Sequence, residues 1–214
     1  NLTSRHDNEQ SSCHTLEGLV KNYLVTGATG NVGSRVVAGL VARGHRPRVF
    51  VRDAERARRL FDDRVDIAVG DFTDPASLAS ALEGIFVLFL LTAGPDLAAQ
   101  DEIAAGTARA KGVARLVKLS TMDVAQQLGT GPWHARGEET IRASGVRFVF
   151  VRPGGFMANA LFWAPPIKAA GRIQSSAATG KIAYIHSDDI ADVAIEALTN
   201  PRWDGEAMPI TGPE

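Results

Sequence analysis

Residues 23–33 read YLVTGATGNVG, a short strand-like run that leads directly into a glycine-rich turn. The glycines recur at every third position, which lets the backbone turn tightly and come close to a ligand. A helix that begins inside such a turn presents unpaired backbone N–H groups and the positive end of its dipole. We therefore predict a loop that binds the pyrophosphate of a dinucleotide. Its residues are Gly27, Thr29, Gly30, Asn31, Val32 and Gly33.

Strands and helices alternate along the chain beyond this loop. Strands are predicted at residues 23–26, 48–51, 65–69, 85–91, 115–119 and 147–151. Helices are predicted at residues 31–43, 54–60, 75–82, 95–111, 132–143 and 187–198. Asp74 and Ser187 are expected to cap the third and the last of these helices. The alternation is typical of βαβ units, so we expect an α/β fold with a doubly wound parallel sheet, the Rossmann fold.

The composition is that of a globular protein with one core. The 214 residues are 45% hydrophobic and 22% charged. The 23 basic residues nearly balance 24 acidic ones, and the net charge of −1 argues against a nucleic-acid-binding surface. The longest apolar run, at residues 85–91, falls far short of the roughly 20 residues that cross a bilayer, so no membrane partner is expected. The single cysteine, Cys13, is typical of a reducing compartment, and we expect a cytoplasmic protein.

Residues 1–21 differ from the rest of the chain. They are polar and lack hydrophobic periodicity, which predicts an N-terminal tail that is flexible or docked on the surface. The tail carries His6, Cys13 and His14, but their irregular spacing is unlike that of metal ligands, and no metal site is expected. Residues 22–214 are predicted to form one dinucleotide-binding domain.

The residues after the second predicted strand indicate which dinucleotide binds. A site for NAD places a carboxylate there to accept from the ribose 2′-hydroxyl, whereas a guanidinium pairs with the 2′-phosphate of NADP. Arg52 comes first after the strand, with Arg56 or Arg58 able to assist it. Asp53 follows directly and keeps NAD open as the alternative, if the register lies one residue later. The order of the two residues favours NADP.

Two further strand ends supply candidate contacts to the nucleotide. Asp71 and Phe72 follow the third strand, at the edge of the sheet where ligands bind. The Asp71 carboxylate either accepts from the adenine amino group or caps the loop before Thr73. Thr92 and Ala93 follow the fourth strand, and their small side chains suit a wall beside the ribose.

Several stretches together resemble the NmrA-like family of the atypical short-chain dehydrogenase/reductase superfamily. The resemblance is carried by TGATGNVG at residues 26–33, VR at 51–52, GDF at 70–72 and LST at 119–121. The most distinctive stretch is WHARGEETIRASGVRFVFVRPGGFMAN at residues 133–159. Residues 187–194 and 210–214 continue the likeness, which begins at Tyr23.

The resemblance implies a Rossmann fold that binds NADP(H), with residues 153–156 beside the nicotinamide. The implied cofactor-binding residues at this end are Ser120, His134, Pro153, Gly154 and Phe156. Known members of the family include NADPH reductases of the quinone type and redox-sensing regulators that bind a protein partner without turning over substrate. The family usually carries a further C-terminal segment beside the substrate, so a reduced C-terminal substrate region is expected in a chain that stops at Glu214.

The chain departs from catalytic short-chain reductases at the proton donor. Those enzymes use Tyr-x-x-x-Lys, whereas neither Tyr23 nor Tyr184 is followed four residues later by lysine. An alignment on Glu138 puts His134 at the lysine position and Thr130 at the tyrosine position. Because the ordinary pKa of histidine is about 6.5, His134 is a candidate proton donor or ribose anchor. The alternative is a histidine that hydrogen-bonds the backbone at the start of a helix.

Two functions remain open at this point. One is an NADPH-dependent oxidoreductase that transfers hydride to a quinone-like or small carbonyl acceptor, a reaction that needs mainly orientation from the protein. The candidates to line its acceptor site are Met122, Phe156, Met157 and Phe162, with core packing as the alternative for the aromatic side chains and Met157. The other function is a non-catalytic NADP(H) sensor that acts through a protein partner or as a homodimer. Arg152 is assigned to structural pairing.

Overall fold

A parallel sheet of seven strands forms the centre of the computed structural model, which describes residues 22–173 and 180–213. The strands are β1 Tyr23–Thr26, β2 Arg48–Val51, β3 Asp66–Val69, β4 Val87–Leu90, β5 Arg115–Leu119, β6 Arg147–Pro153 and β7 Ala207–Ile210. Their order is β3-β2-β1-β4-β5-β6-β7, and every neighbouring pair is parallel. The winding reverses between β3 and β4, so a crevice opens beyond the carboxyl ends of β1 and β4. The predicted doubly wound Rossmann fold is confirmed.

Helices cover both faces of this sheet. Within the described ranges they are α1 Asn31–Ala42, α2 Ala54–Phe61, α3 Pro75–Ala81, α4 Leu97–Ala110, α5 Asp123–Gln126, α6 Gly131–Ser144, α7 Ala164–Ala170 and α8 Ser187–Thr199, with 3-10 turns at Met157–Trp163 and Pro201–Trp203. Successive strand residues face opposite sides. Val25 and Phe89 therefore join a core with α1, α2 and α8, whereas Leu24 and Leu88 join a second core with α3, α4 and α6. None of the helices described is both long and apolar enough to cross a membrane.

The predicted strands and helices are all present, with ends shifted by up to two residues. Asp74 caps α3 as predicted, and its carboxylate accepts from the Ala76 N–H at 3.1 Å. The prediction that Ser187 caps α8 is wrong. Ser187 is the first helical residue, and the cap is His186, whose Nδ1 accepts from the Asp188 N–H at 3.3 Å. The cap is set by where the backbone leaves its extended conformation, and that point lies one residue earlier than the serine suggests.

Strand β7 and the short helices α5 and α7 lie outside the predicted elements. The four residues of β7 include Pro209, which lacks a backbone N–H and is tolerated because β7 is an edge strand beside β6. So short a run, interrupted by proline, carries no alternation that predicts a strand. The predicted tail at residues 1–21, with His6, Cys13 and His14, lies outside the described residues.

Candidate functional site

The glycine-rich turn between β1 and α1 is tightly packed. Gly27 has a φ of +61°, and a Cβ there would lie 2.9 Å from the Leu91 side chain. A Cβ on Gly33 would lie 2.2 Å from the Gly27 carbonyl oxygen, so only glycine lets α1 approach the turn this closely. Gly30 caps α1 without a side-chain hydrogen bond. The first backbone N–H groups of α1 are therefore left for an anionic ligand.

The start of α1 is fastened to the start of α8. Asn31 Nδ2 donates to Ser187 Oγ at 2.8 Å, across 156 positions of sequence. Arg35 forms an ion pair with Asp188 and donates to the Asn31 backbone and side-chain oxygens, each at 2.7 Å. Asn31, which the glycine pattern assigns to the cofactor loop, thus also holds two helices together at that loop.

A crevice of about 280 Å³ lies at the carboxyl ends of β1, β2, β3 and β4. It brings together predicted residues from four separate strand ends. Its lining comprises Gly27, Ala28, Thr29, Phe50, Val51, Arg52, Gly70, Asp71, Phe72, Leu91, Thr92, Ala93 and Gln100. The shape and the uncapped helix start fit a nucleotide that enters with its phosphates over the loop.

The lining of the crevice differs from the predicted set of cofactor-binding residues. Some lining residues were not predicted, and some predicted residues lie elsewhere. Phe50 and Gln100 line the crevice, yet no sequence signal points to Gln100, which belongs to α4 and lies far from the glycine pattern. Ser120, His134 and residues 153–156 do not line the crevice. Ser120 follows β5, His134 lies on α6, and residues 153–156 begin at the last residue of β6. These positions lie further along the same edge of the sheet.

Arg52 and Asp53 have different surroundings. The Arg52 side chain is 85% exposed at the crevice, with its Nε 3.9 Å from Asp71 Oδ2. Asp53 instead caps α2, and its carboxylate accepts from the Arg56 N–H at 2.9 Å. Arg56 Nη2 donates to the Thr29 carbonyl at 3.1 Å and so lies over the glycine loop, whereas Arg58 pairs with Glu55 on its own helix. Of the two candidates at the end of β2, the guanidinium is the one available to a ligand.

The Asp71 carboxylate stabilises its own loop. Its Oδ1 accepts from the Thr73 N–H at 2.8 Å, which is the loop-capping interpretation of this residue. This hydrogen bond, with a smaller contribution from the Arg52 charge, holds the pKa of Asp71 below its usual value. The second oxygen faces Arg52 across the crevice, so Asp71 offers a negative group beside Phe72.

A buried carboxylate joins the ends of β5 and β6. Glu138 of α6 is fully buried and accepts from Ser120 Oγ at 2.7 Å and from Arg152 Nε at 2.9 Å. Arg142 adds a contact at 3.3 Å. The hydrogen bonds to Glu138 raise the pKa of Arg152. Ser120 and Arg152 are thereby held against Glu138, which agrees with the assignment of Arg152 to pairing.

His134 is half-buried near the start of α6. Its Nδ1 is buried and has no hydrogen-bond partner among the described residues, so this nitrogen does not bond the backbone as a helix-start histidine would. Burial, and next the positive charge of Lys118, lower the pKa of His134 from 6.5 to about 4, against an opposing effect of Glu138. The imidazole is therefore neutral at pH 7.

The proposed acceptor residues lie around the carboxyl end of β6. The Met122 N–H donates to the Pro153 carbonyl at 3.0 Å. Phe156 is half-buried and packs against the core around α1 and α8, so the core interpretation holds for it in part. Met157 and Phe162 are 47% and 78% exposed, and core packing is wrong for both. An apolar surface is thus open beside the strand end.

Comparisons with known proteins agree with this geometry. A family model described as NAD(P)H-binding matches residues 27–201. A (4-alkanoyl-5-oxo-2,5-dihydrofuran-3-yl)methyl phosphate reductase of Streptomyces griseus is 40% identical over 194 residues, covering 89% of this chain and 68% of the relative. An NAD(P)H azoreductase of Xenophilus azovorans is 34% identical over 194 residues, with the same 89% and 68% coverage. The crystal structure of the NADPH-dependent quinone oxidoreductase QOR2 of Escherichia coli complexed with NADPH superposes with a TM-score of 0.81 at 26% identity, covering 89% of this chain and 69% of that one. The chain therefore belongs to the NAD(P)H-binding family.

Proposed function

We propose that this chain is an NADPH-dependent oxidoreductase that transfers hydride to a quinone-like or small carbonyl acceptor, and that it is an NmrA-like member of the atypical short-chain dehydrogenase/reductase superfamily. The observation that carries the choice of NADPH is the pair at the end of β2, where the Arg52 guanidinium is largely exposed at the crevice and Asp53 is engaged as a helix cap. The reductase, the azoreductase and the quinone oxidoreductase to which the chain is similar support the reaction class.

The described residues fit NADPH in an extended arrangement along the sheet edge. The start of α1 would hold the pyrophosphate, and Arg52, with Arg56 beside the loop, would hold the 2′-phosphate. Asp71 and Phe72 would contact the adenine, and Thr92 and Ala93 the ribose. Ser120, Pro153, Gly154 and Phe156 would lie at the nicotinamide end. The bound cofactor supplies the hydride, and the protein supplies orientation.

His134 is the proposed proton-holding residue beside the acceptor. With a pKa of about 4, its ring is a neutral hydrogen-bond donor at pH 7 rather than a cationic acid. A neutral imidazole that donates to a developing oxyanion stabilises charge without first taking up a proton itself. Met122, Phe156, Met157 and Phe162 offer apolar surface to the flat ring of the acceptor.

The absence of a Tyr-x-x-x-Lys pair from the sequence favours a second candidate. In this alternative the chain binds NADP(H) as a sensor and acts through a protein partner or a second copy of itself. Both candidates use the same cofactor crevice, so binding of NADP(H) alone does not separate them. Oxidation of NADPH by an acceptor distinguishes the reductase from the sensor.

An NADPH titration followed by addition of a small quinone panel tests the proposal. We expect saturable binding of NADPH and its oxidation, read at the nicotinamide absorbance, in the presence of at least one quinone. Binding without oxidation by any quinone or azo acceptor supports the sensor instead. Failure to bind either NADPH or NADH contradicts the assignment of the glycine loop. Gly106→Ala is a suitable control variant, since Gly106 is exposed on α4, has open space around its Cβ position and does not line the crevice.

A further inference from the structure

A buried ion pair lies behind one wall of the nucleotide crevice. The Lys118 and Asp101 side chains are both 0% exposed, and Lys118 Nζ lies 2.7 Å from Asp101 Oδ2. Thr92 Oγ1 donates to Asp101 Oδ1 at 2.8 Å and accepts from Lys118 Nζ at 3.2 Å. Because Thr92 lines the crevice, its hydroxyl connects the nucleotide site to two charges in the interior.

The wall at Thr92 and Ala93 lies beyond the hydrogen-bond ladder of the sheet, since the pairing of β4 ends at Leu90. The next residue, Leu91, is held by Thr26, whose Oγ1 accepts from the Leu91 N–H at 2.8 Å. In the part of the chain that the structure describes, the N–H groups of Thr92 and Ala93 donate no hydrogen bond. Both residues line the crevice, so these N–H groups are left for a ligand. The bonds of the Thr92 hydroxyl are what hold them in place.

Stability is a weak explanation for the buried pair. Burial raises the pKa of Asp101 and lowers the pKa of Lys118, and the charge of each residue opposes this effect on the other. Apolar side chains of similar size often stabilise a protein as well as such a pair does, or better. The carboxylate is also closely packed, since a Cβ on Gly137 would lie 1.9 Å from Asp101 Oδ2. Charges held this firmly can fix the orientation of a third group, the Thr92 hydroxyl.

We propose that Asp101 and Lys118 are positioning residues for the dinucleotide, on which they act through Thr92. Their hydrogen bonds use the proton and one lone pair of the Thr92 hydroxyl, which fixes its rotamer. The wall at residues 92–93 is thereby held in the shape that receives the nucleotide, with its N–H groups already in place. The inference rests on the proposed function only in the binding of NADP(H), which the reductase and the sensor share.

Isothermal titration of NADPH and NADH into the whole chain tests this. Lys118→Met/Asp101→Leu replaces the pair by apolar side chains and leaves no buried charge unpaired. We expect both nucleotides to bind about 2- to 10-fold more weakly, because the hydrogen bonds that fix Thr92 are lost. The melting temperature should stay the same or rise. A role in folding alone would lower the melting temperature and leave the affinity of the folded protein unchanged.

A double-mutant cycle with Thr92→Val shows whether the effect passes through the hydroxyl. Valine keeps the shape of threonine without its hydroxyl, so Thr92→Val should weaken both nucleotides by a similar factor. Adding Lys118→Met/Asp101→Leu to Thr92→Val should then weaken binding no further. Thr92→Ser keeps the hydroxyl and should retain the wild-type affinity. Comparison of Thr92→Val with Thr92→Ser still tests the proposal if the variant of the pair does not fold.

A matched control removes a comparable ion pair from the other end of the same strand. Arg115 begins β5, its side chain is 5% exposed, and it pairs with Asp204. Neither residue lines the crevice. Arg115→Met/Asp204→Asn should therefore leave the dissociation constants of both nucleotides unchanged.

The outcomes separate this inference from the proposed function. Unchanged binding in Thr92→Val, or in folded Lys118→Met/Asp101→Leu, overturns the inference and leaves the proposed function intact. Additive weakening in the cycle overturns it as well. Failure of the wild type to bind either nucleotide contradicts both. Weaker binding in each variant, with no further loss when they are combined, supports the inference whether or not a quinone oxidises NADPH.

Discussion

Replacement of Arg52 by glutamine is expected to change the choice of cofactor more than the fold. Glutamine keeps most of the side-chain length and removes the charge that we assign to the 2′-phosphate. Arg52 is 85% exposed and its Nε lies a distant 3.9 Å from Asp71 Oδ2, so loss of this ion pair costs the free protein little. The effect should therefore appear in binding of NADP(H) and leave the melting temperature unchanged.

The magnitude follows from the exposure of the guanidinium. A hydrogen bond to a charged group contributes about 1.5–3 kcal/mol, or roughly 10- to 150-fold in affinity. Solvent screens an exposed pair, so we expect the low end of this range, about tenfold weaker NADPH binding with NADH binding unchanged. The difference should shrink as salt rises, because the Debye length falls from about 10 Å at 0.1 M to about 3 Å at 1 M.

Isothermal titration of NADPH and NADH into wild type and Arg52→Gln measures both constants. Arg58→Gln is the matched control, since Arg58 pairs with Glu55 on the same helix and belongs to the same basic run. Equal weakening of NADPH and NADH would refute the assignment of Arg52 to the 2′-phosphate. A stronger preference for NADPH after the change would refute it as well.

Four further predictions concern the glycine-rich loop, the N-cap of α3, the packing of α6 at Gly137 and the titration of His134. Gly33→Ala should weaken NADPH binding at least tenfold, because its Cβ would meet the Gly27 carbonyl at 2.2 Å, and calorimetry measures this loss. Asp74→Ala removes a helix cap and should lower stability by about 1 kcal/mol, about 2–4 °C in thermal melting. Gly137→Ala should cost about 1–3 kcal/mol by overpacking, because its Cβ would lie 1.9 Å from Asp101 Oδ2, and urea unfolding measures this loss. The pKa of His134 is lowered on folding from 6.5 to about 4, so the unfolded chain binds this proton at a higher pH than the folded chain does. Stability therefore falls as pH drops from 6.5 to 4. In His134→Gln, the urea midpoints measured at pH 7 and at pH 5 should lie closer together than in the wild type.

The parts of the site that sequence reasoning predicts are those set by neighbours along the chain. The glycine loop, Arg52, Asp71 and Thr92 each follow a strand directly, and a parallel sheet brings all such positions to one edge. Pattern and spacing alone therefore bring these predicted residues to one crevice. The family resemblance adds the reductase class and the region around β6.

The parts that sequence reasoning misses depend on partners far away in the chain. Lys118 sits in the strand sequence RLVKL, and nothing near it indicates that Asp101 neutralises it in the interior. The pKa of His134 is lowered to about 4 by burial of its own ring and next by the charge of Lys118, and its sequence neighbours indicate neither effect. Gln100 and β7 likewise take their places from tertiary packing. The cytoplasmic location and any protein partner stay predictions.

The link between Asn31 and Ser187 also bears on how the protein is made. A ribosome releases the glycine loop early, at residues 27–33, but the hydrogen-bond partner of Asn31 appears 156 positions later. Contacts of such long sequence separation form late, since a large loop of chain must close first. During synthesis the nascent chain therefore exposes a loop that is not yet held in its final shape. Competence to bind nucleotide is then expected to arise in a single late step, when α8 docks on α1, rather than gradually with length.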